Sequence, residues 1–233
     1  MFRHNYCTSF FALLLIGFGS VLAKAQILNA SFETPALSPA QFTFGNIDNW
    51  SGDNNGSQGV WFPGAGFFDT SVPDGNQIGY TNATAVAQQT TETLQFGFVT
   101  FSAWIGQRND TAIGTASLEL WAGVTVNNGN VNGGTLLSST SLRPNIEQID
   151  GQFVEGSTTY TALDSDPLIG QSLTVRIRKV DGDQIDFDMA KLTVAPVPAP
   201  SAFAAFLIGA VPGAAVLLRR RRKAGATSPH NPK

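Results

Sequence analysis

The chain has 233 residues, including 24 glycines, 17 phenylalanines and a single cysteine, and its formal net charge is −3. All 17 acidic residues but only six of the 14 basic ones lie between residues 26 and 195, which gives this middle portion a net charge of −11. So acidic a portion argues against nucleic-acid binding, because phosphate contacts need clustered lysine and arginine.

The start of the chain, residues 1–25, is predicted to be a signal peptide. Arg3 gives it a basic beginning, residues 10–22 form an apolar stretch, and Ala23-Lys24-Ala25 supplies a cleavage site of small residues. Cys7, the only cysteine, lies within this segment. The mature protein therefore has no disulfide available and is expected to depend on a packed core.

Residues 26–195 are predicted to form one domain, in which most segments show the two-residue period of β-strands. The predicted strands occupy residues 27–33, 77–80, 83–89, 96–105, 117–126, 136–142, 152–160, 173–180 and 184–194. Segments rich in Gly, Asn, Asp and Pro separate them, and no window in this portion has a helical period. Eight to ten short strands at near-regular spacing predict an all-β fold, a jelly-roll β-sandwich.

A resemblance supports this fold. The opening Asn29-Ala30-Ser31-Phe32-Glu33, the later Trp50, the turn at residues 74–77 and the closing Phe187-Asp188 resemble the galactose-binding-like jelly rolls, a group that includes many carbohydrate-binding modules. The resemblance implies a structural Ca²⁺ that ties the first strand to the last, with Glu33 and Asp188 as its side-chain ligands. The alternative is that Glu33 simply faces solvent.

A carbohydrate site would need an exposed aromatic face beside fixed hydrogen-bonding groups. Trp104 and Trp121 lie off the apolar faces of their predicted strands, and Arg108 follows Trp104 closely in the chain. Trp61 and Phe67, in a glycine-rich loop, form a second group. The alternative for each ring is ordinary packing, since large aromatic side chains are mostly buried.

Several kinds of catalysis are excluded in residues 26–195, because the only histidines, His4 and His230, lie outside this portion. Ser-His-Asp and Cys-His catalysis and a His-bound zinc are therefore absent from it. Four aspartates lie around one predicted turn, where acidic residues usually form a solvated rim: Asp181, Asp183, Asp186 and Asp188.

We expect a non-enzymatic, exported surface or matrix protein with carbohydrate as its candidate ligand. A carboxylate-dependent polysaccharide hydrolase or lyase on the same fold is the alternative.

Residues 196–223 combine three features in order, and a polar tail, residues 224–233, follows them. The hinge reads Val197, Pro198, Ala199 and Pro200. The apolar run 201–218 has 18 uncharged residues and would span roughly 27 Å as a helix. The cationic cluster is Arg219, Arg220, Arg221, Arg222 and Lys223. Because cations stay on the cytoplasmic side of a membrane, this order predicts a single transmembrane helix with the domain held outside the inner membrane.

These three features resemble the PEP-CTERM sorting signal of Gram-negative bacteria, with Ala199 at a position where that family usually has Glu. The resemblance implies that the tail holds the exported protein at the inner membrane until an exosortase-type transpeptidase cuts near the hinge. The expected destination is the cell surface or the medium.

Overall fold

The computed structural model describes residues 27–53, 57–111, 114–143 and 151–196. The predicted signal peptide, hinge, transmembrane run and cationic cluster lie outside the described residues. Within the described ranges the chain forms strands, turns and loops but no helix, and so no helix able to cross a membrane.

The described residues contain twelve strands. They are β1 (Ser51–Gly52), β2 (Gln58–Trp61), β3 (Ile78–Thr81), β4 (Ala85–Thr93), β5 (Gly97–Gly106), β6 (Ala116–Ala122), β7 (Thr125–Asn127), β8 (Asn130–Asn132), β9 (Thr135–Leu142), β10 (Phe153–Ala162), β11 (Ser172–Lys179) and β12 (Ile185–Pro196). Sheet A has the order β10-β5-β12-β3-β2 and sheet B the order β1-β4-β11-β6-β9, while β7 and β8 form a separate hairpin. The predicted all-β sandwich is confirmed.

The core lies between the two sheets and follows from the alternation of side chains along each strand. On β5, Phe101 and Ile105 face inward, and Leu118 and Leu120 of β6 meet them from sheet B; all four are at most 1% exposed. Burying side chains of this size stabilises the fold by about 2 kcal/mol each. The predicted strands over residues 96–105, 136–142, 152–160 and 173–180 match β5, β9, β10 and β11 closely.

The predicted opening strand over residues 27–33 is wrong, because this segment forms turns. Asn29 and Phe32 both have positive φ angles, 48° and 55°, and the Phe32 amide donates to the Asn29 carbonyl at 3.2 Å. The Asn29 side chain accepts from the Thr34 amide at 3.1 Å, a local bond that competes with strand pairing. The segment thereby inserts the Phe32 ring into the core, 4.9 Å from the ring of Phe187.

A β-bulge in β12 determines which of its side chains face the core. The register against β5 shifts between Asp188 and Lys191, and Met189 in between has a φ of 47°. The inward residues are Ile185 and Phe187 before the bulge and Ala190, Leu192 and Val194 after it. Before the bulge, Asp186 and Asp188 alternate with the inward residues. Their side chains therefore face the outer side of sheet A.

A second, smaller cluster covers part of this outer face. Trp61, Ile78 and Tyr80 project from β2 and β3, and aromatic side chains from the loop of residues 62–77 pack on them. Phe153 of β10 completes the cluster, with its ring 4.8 Å from that of Phe68. Asp186 and Asp188 therefore project beneath a layer of loop and aromatic rings rather than into water.

Candidate functional site

A cavity of about 320 Å³ opens beside this second cluster, at the end of sheet A where β12 begins. Most of its wall is aromatic, and the polar groups that reach it are few. Its lining residues are Ala40, Phe42, Phe44, Trp61, Phe67, Tyr80, Asn82, Arg108 and Gln184. An aromatic wall with a few convergent polar groups is typical of a site for a small organic ligand.

One wall is an extended segment that pairs with the edge strand β2. The amides of Thr43 and Gly45 donate to β2 carbonyls at 2.8 Å each, and the Tyr80 hydroxyl donates to the Thr43 carbonyl at 2.6 Å. Phe42 and Phe44 stand on this segment with their rings 4.8 Å apart, edge to face. They are 51% and 74% exposed, so this wall presents two large rings to solvent on a fixed backbone.

Arg108 forms the opposite wall, after the end of β5. Its guanidinium lies 4.9 Å from the ring centroids of both Trp61 and Phe67. It donates to both carboxylate oxygens of Asp110, at 2.8 and 2.7 Å, and to the Gln184 side-chain oxygen at 3.2 Å. Two residues predicted from separate groups, Arg108 and Trp61, are thus brought together in one wall.

Asp186 lies directly behind Gln184. The Gln184 amide donates to Asp186 Oδ1 at 2.6 Å, and the strand register places Asp186 between Tyr80 and Gly106. The Asp186 side chain is only 2% exposed. Burial raises its pKa to about 7, against the opposing effects of the Gln184 hydrogen bond and the Arg108 charge.

Gly106 makes the enclosure of Asp186 possible. A Cβ at Gly106 would lie 2.5 Å from the ring of Phe153, so only glycine lets that ring lie against the strand beside Asp186. The covering loop is held nearby, where the Asp69 amide donates to the Gly151 carbonyl at 2.7 Å. The Asn109 side chain also donates to the Asp69 carboxylate, at 2.9 Å.

The predicted calcium ligands, Glu33 and Asp188, contact the same turn. Glu33 Oε1 accepts from the Asn76 and Gln77 amides at 2.7 Å each, and Asp188 Oδ2 accepts from the Asp74 amide at 2.8 Å. Burial, with added repulsion from Asp74 and Glu33, raises the pKa of Asp188 to about 7. Across the described part of the chain, no group of three or more His, Cys, Asp or Glu side chains is arranged to hold a metal ion.

The other predicted ligand-binding rings lie elsewhere. Trp104 is half-buried on the outer face of sheet A, opposite Asp188 in the strand register. Trp121 lies on the outer face of sheet B, where its indole N–H donates to Glu119 at 3.0 Å. The structure therefore does not bring Trp121 to the cavity. It places Trp104 next to Asp188 of β12 instead.

Sequence reasoning missed Tyr80 and Gln184 and misjudged Asp186. Asp181 and Asp183 are exposed at their turn, as a solvated rim requires, whereas Asp186 is buried. The available signal was the alternation of Asp186 with apolar neighbours in the last strand. This alternation indicates which face of the sheet carries Asp186, but it does not indicate that a loop covers that face.

The chain is similar to a family of cyclases and to several solved structures. A family model described as HpiC1-like, HpiC1 cyclase, matches residues 23–193. A Stig cyclase from Fischerella sp. TAU, in complex with (3Z)-3-(1-methyl-2-pyrrolidinylidene)-3H-indole, is 22% identical with a TM-score of 0.63, over 76% of this chain and 100% of that one. A cyclase from the same organism, in complex with 4-(1H-indol-3-yl)butan-2-one, is 23% identical with a TM-score of 0.61, over 76% and 99%. These structural likenesses show the shared sandwich fold. None of the curated proteins compared with the chain is significantly similar to it.

The family match contradicts the expectation of a non-enzymatic, carbohydrate-binding surface protein, and with it the alternative of a polysaccharide hydrolase or lyase. The error arose because part of the outer face of sheet A is covered by a loop and aromatic rings. The aspartates near the last turn were judged as one solvated group, whereas the loop of residues 62–77 and its aromatic rings enclose two of them, Asp186 and Asp188.

Proposed function

The chain belongs to the HpiC1-like cyclase family, and from this premise we propose that it is an enzyme that closes a ring within one apolar, aromatic substrate. The observation that carries the proposal is the position of Asp186, a carboxyl group enclosed directly behind a cavity with aromatic walls. The cavity binds the substrate, and the carboxyl group exchanges a proton with it.

The residue types at the cavity suit an isomerisation better than a transfer reaction. Residues 26–195 contain no histidine or cysteine, and the polar side chains that line the cavity are those of Tyr80, Asn82, Arg108 and Gln184. Ring closure within one molecule needs no external nucleophile or leaving group. It needs a proton donor, a proton acceptor and a surface that stabilises positive charge.

We assign Asp186 as the proton donor and acceptor, which reaches the substrate when the Gln184 side chain in front of it moves aside. A proton passes from its carboxyl group to an unsaturated carbon of the substrate, and the resulting cation is attacked by a second π bond, which forms the new C–C bond. A proton then leaves the ring and returns to the carboxylate, so the product is an isomer of the substrate. The faces of Phe42 and Phe44 stabilise the cationic intermediate, as aromatic rings do for bound cations.

Gln184 and Tyr80 position this chemistry. Because the Gln184 oxygen accepts from Arg108, its amide nitrogen is directed at Asp186 Oδ1. The carboxyl proton is then carried on Oδ2. Tyr80 is paired with Asp186 in the strand register and also lines the cavity, and its hydroxyl is held there by the Thr43 carbonyl, to which it donates at 2.6 Å.

Ligand binding tests the assignment of the cavity. The indole ligand found with one structural neighbour, 4-(1H-indol-3-yl)butan-2-one, is a suitable probe, titrated by calorimetry into wild type, Trp61→Ala and Trp121→Ala. We expect saturable binding that weakens about tenfold in Trp61→Ala and is unchanged in Trp121→Ala, since loss of one buried aromatic contact is worth roughly 1–2 kcal/mol. Equal binding by both variants would remove the cavity from the proposal.

Turnover tests the chemistry. The enzyme is incubated with indoles that carry an unsaturated side chain, and the products are analysed by mass spectrometry and NMR. The expected product has unchanged mass and one additional ring, and Asp186→Asn should abolish its formation while retaining probe binding. An active Asp186→Asn variant would exclude Asp186 as the proton donor.

A structural Ca²⁺ near Glu33 and Asp188 is a second proposal. It is supported by the two carboxylates that converge on the turn of residues 74–77 and by the preference of Ca²⁺ for carboxylate oxygens. The ion would have to share oxygens that already accept backbone N–H bonds. We expect a higher melting temperature with Ca²⁺ than with a chelator, and no such difference in Glu33→Gln; identical melting under both conditions in wild type would exclude the site.

Export and sorting are proposed for the two ends of the chain. The support is the order of hinge, uncharged run and cations in residues 196–223, which lie beyond the portion matched by the cyclase family. The proposed partners are the inner membrane and an exosortase-type transpeptidase. Mass spectrometry of the exported protein tests this, since material that still carries residues 219–223 has not been processed.

A further inference from the structure

The two ends of the sandwich differ in which one the chain leaves from. The cavity lies near Gly106, Tyr80 and Ile185. The opposite end, which we call the exit end, is where the register brings together Gly97, Ala162 and Pro196, the last described residue. The exit end is therefore the place where the chain leaves the domain towards residue 197.

The exit end carries exposed apolar side chains. Phe98 is 50% exposed, Leu163 is 64% exposed and Ile169 is 39% exposed. The loop that bears Leu163 and Ile169 is fixed to this end, because the Gly170 amide donates to the Leu94 carbonyl at 2.8 Å. Three large apolar side chains, one from strand β5 and two from the loop between β10 and β11, thus lie near the chain's exit, where nothing in the sandwich core requires them.

The sequence that follows determines what can cover this end. Only four residues separate Pro196 from the uncharged run 201–218, and a chain that short reaches at most about 17 Å. The run is long enough to enter a bilayer, and the cations after it favour the far side. If the run is inserted, the exit end must lie at the membrane surface.

We propose that the exit end is a membrane-facing surface, at which Phe98, Leu163 and Ile169 contact the outer leaflet of the bilayer entered by residues 201–218. Two aspartates lie in the loop that carries Leu163 and Ile169. Asp166 has one oxygen bonded to the Tyr160 hydroxyl at 2.6 Å and the other to the Leu168 amide at 2.9 Å, whereas Asp164 is exposed. The surface therefore suits zwitterionic lipid better than anionic lipid.

The orientation of the cavity follows from this contact. Strand β5 runs from the exit end at Gly97 to the cavity end at Gly106, about 30 Å at roughly 3.3 Å per residue. The cavity then lies at the end of the domain far from the bilayer. The enzyme would take its substrate from the aqueous phase rather than from the lipid.

The test uses the full chain in phosphatidylcholine vesicles that contain spin-labelled phosphatidylcholine. In a Cys7→Ser background, single cysteines are introduced by Leu163→Cys, Ile169→Cys and, as the control, Val180→Cys, and each is labelled with a fluorophore. Val180 is 45% exposed and follows β11 at the cavity end, where its amide bonds to Thr115. All three positions are exposed, so labelling should leave the fold intact.

We expect lipid quenching to be several-fold stronger at positions 163 and 169 than at position 180. Equal quenching at the three positions would overturn the proposal, as would failure of the full chain to float with the vesicles. Binding of 4-(1H-indol-3-yl)butan-2-one by the same labelled proteins reports on the cavity independently. A failure of the membrane contact is therefore distinguishable from a failure of the proposed catalytic site.

Discussion

Replacing Asp186 with asparagine should stabilise the protein at alkaline pH and leave its stability in acid almost unchanged. Burial raises the pKa of Asp186 from 3.8 to about 7. Below pH 3.8 the group is protonated in the folded and unfolded states alike and has no effect. Between these two pKa values the unfolded chain ionises while the folded protein retains the proton, so stability falls as pH rises and stays low above the folded pKa.

The magnitude follows from the size of the shift. Three pKa units at 1.36 kcal/mol each amount to about 4 kcal/mol, and the nearly complete burial of Asp186, only 2% exposed, leaves little screening by solvent. Asparagine has the same shape and can still accept from Gln184. The variant should therefore avoid most of this loss, which is large compared with a typical total stability of 5–15 kcal/mol.

Urea unfolding at about pH 4 and at about pH 8 measures the effect. A chelator is present so that metal binding does not contribute. The charge-matched control is Asp183→Asn, since Asp183 is exposed at the adjoining turn. The reasoning is refuted if wild type and Asp186→Asn lose the same free energy of unfolding between the two pH values.

Three further outcomes are expected. Gly106→Ala should destabilise the fold by about 1–3 kcal/mol in urea melts, because the new Cβ would lie 2.5 Å from the Phe153 ring, and adding Phe153→Leu should restore part of the loss. Glu119→Gln should cost about 3 kcal/mol in the same assay, since buried Glu119 accepts from two arginines at 3.1 and 2.6 Å; an unchanged midpoint would show that these ion pairs contribute nothing. Phe44→Ser should change stability by less than about 0.5 kcal/mol, because the ring is 74% exposed, yet should weaken probe binding in calorimetry; unaltered binding would exclude Phe44 from the ligand site.

The sandwich was predictable because its strands obey a simple rule. In β5 and β11 the inward residues alternate with outward ones along the whole strand, so the period alone gives both the element and its buried face. The same rule failed at residues 27–33, where the apolar residues also alternate. There the side chain of Asn29 bonds to the backbone nearby, and the local turn prevails over strand pairing.

The site was predictable in composition but not in arrangement. Trp61 and Arg108 were candidates on chemical grounds, yet they are 47 positions apart, and only the end of β5 and the edge of sheet A bring them together. The burial of Asp186 depends on the loop of residues 62–77, an irregular segment without a period of its own. Individual hydrogen bonds, such as the one between Asn109 and Asp69, hold this loop in place. No sequence pattern predicts such bonds.

Burying the carboxyl group of Asp186 is energetically unfavourable, and its position in the fold keeps this cost away from the main core. The core between the two sheets is built mainly of apolar side chains, and the unfavourable burial of the Asp186 carboxyl group falls on the outer face of sheet A instead. There the carboxyl group is covered by the loop of residues 62–77. Glu33 and Asp188 attach this loop to the rest of the domain by accepting hydrogen bonds from its backbone amides. A sandwich that only displayed rings to a sugar would have no need of an enclosed acid at this position. In the proposed mechanism the enclosure of Asp186 serves proton transfer, because burial raises its pKa to about 7 and so allows the group both to give and to accept a proton near neutral pH.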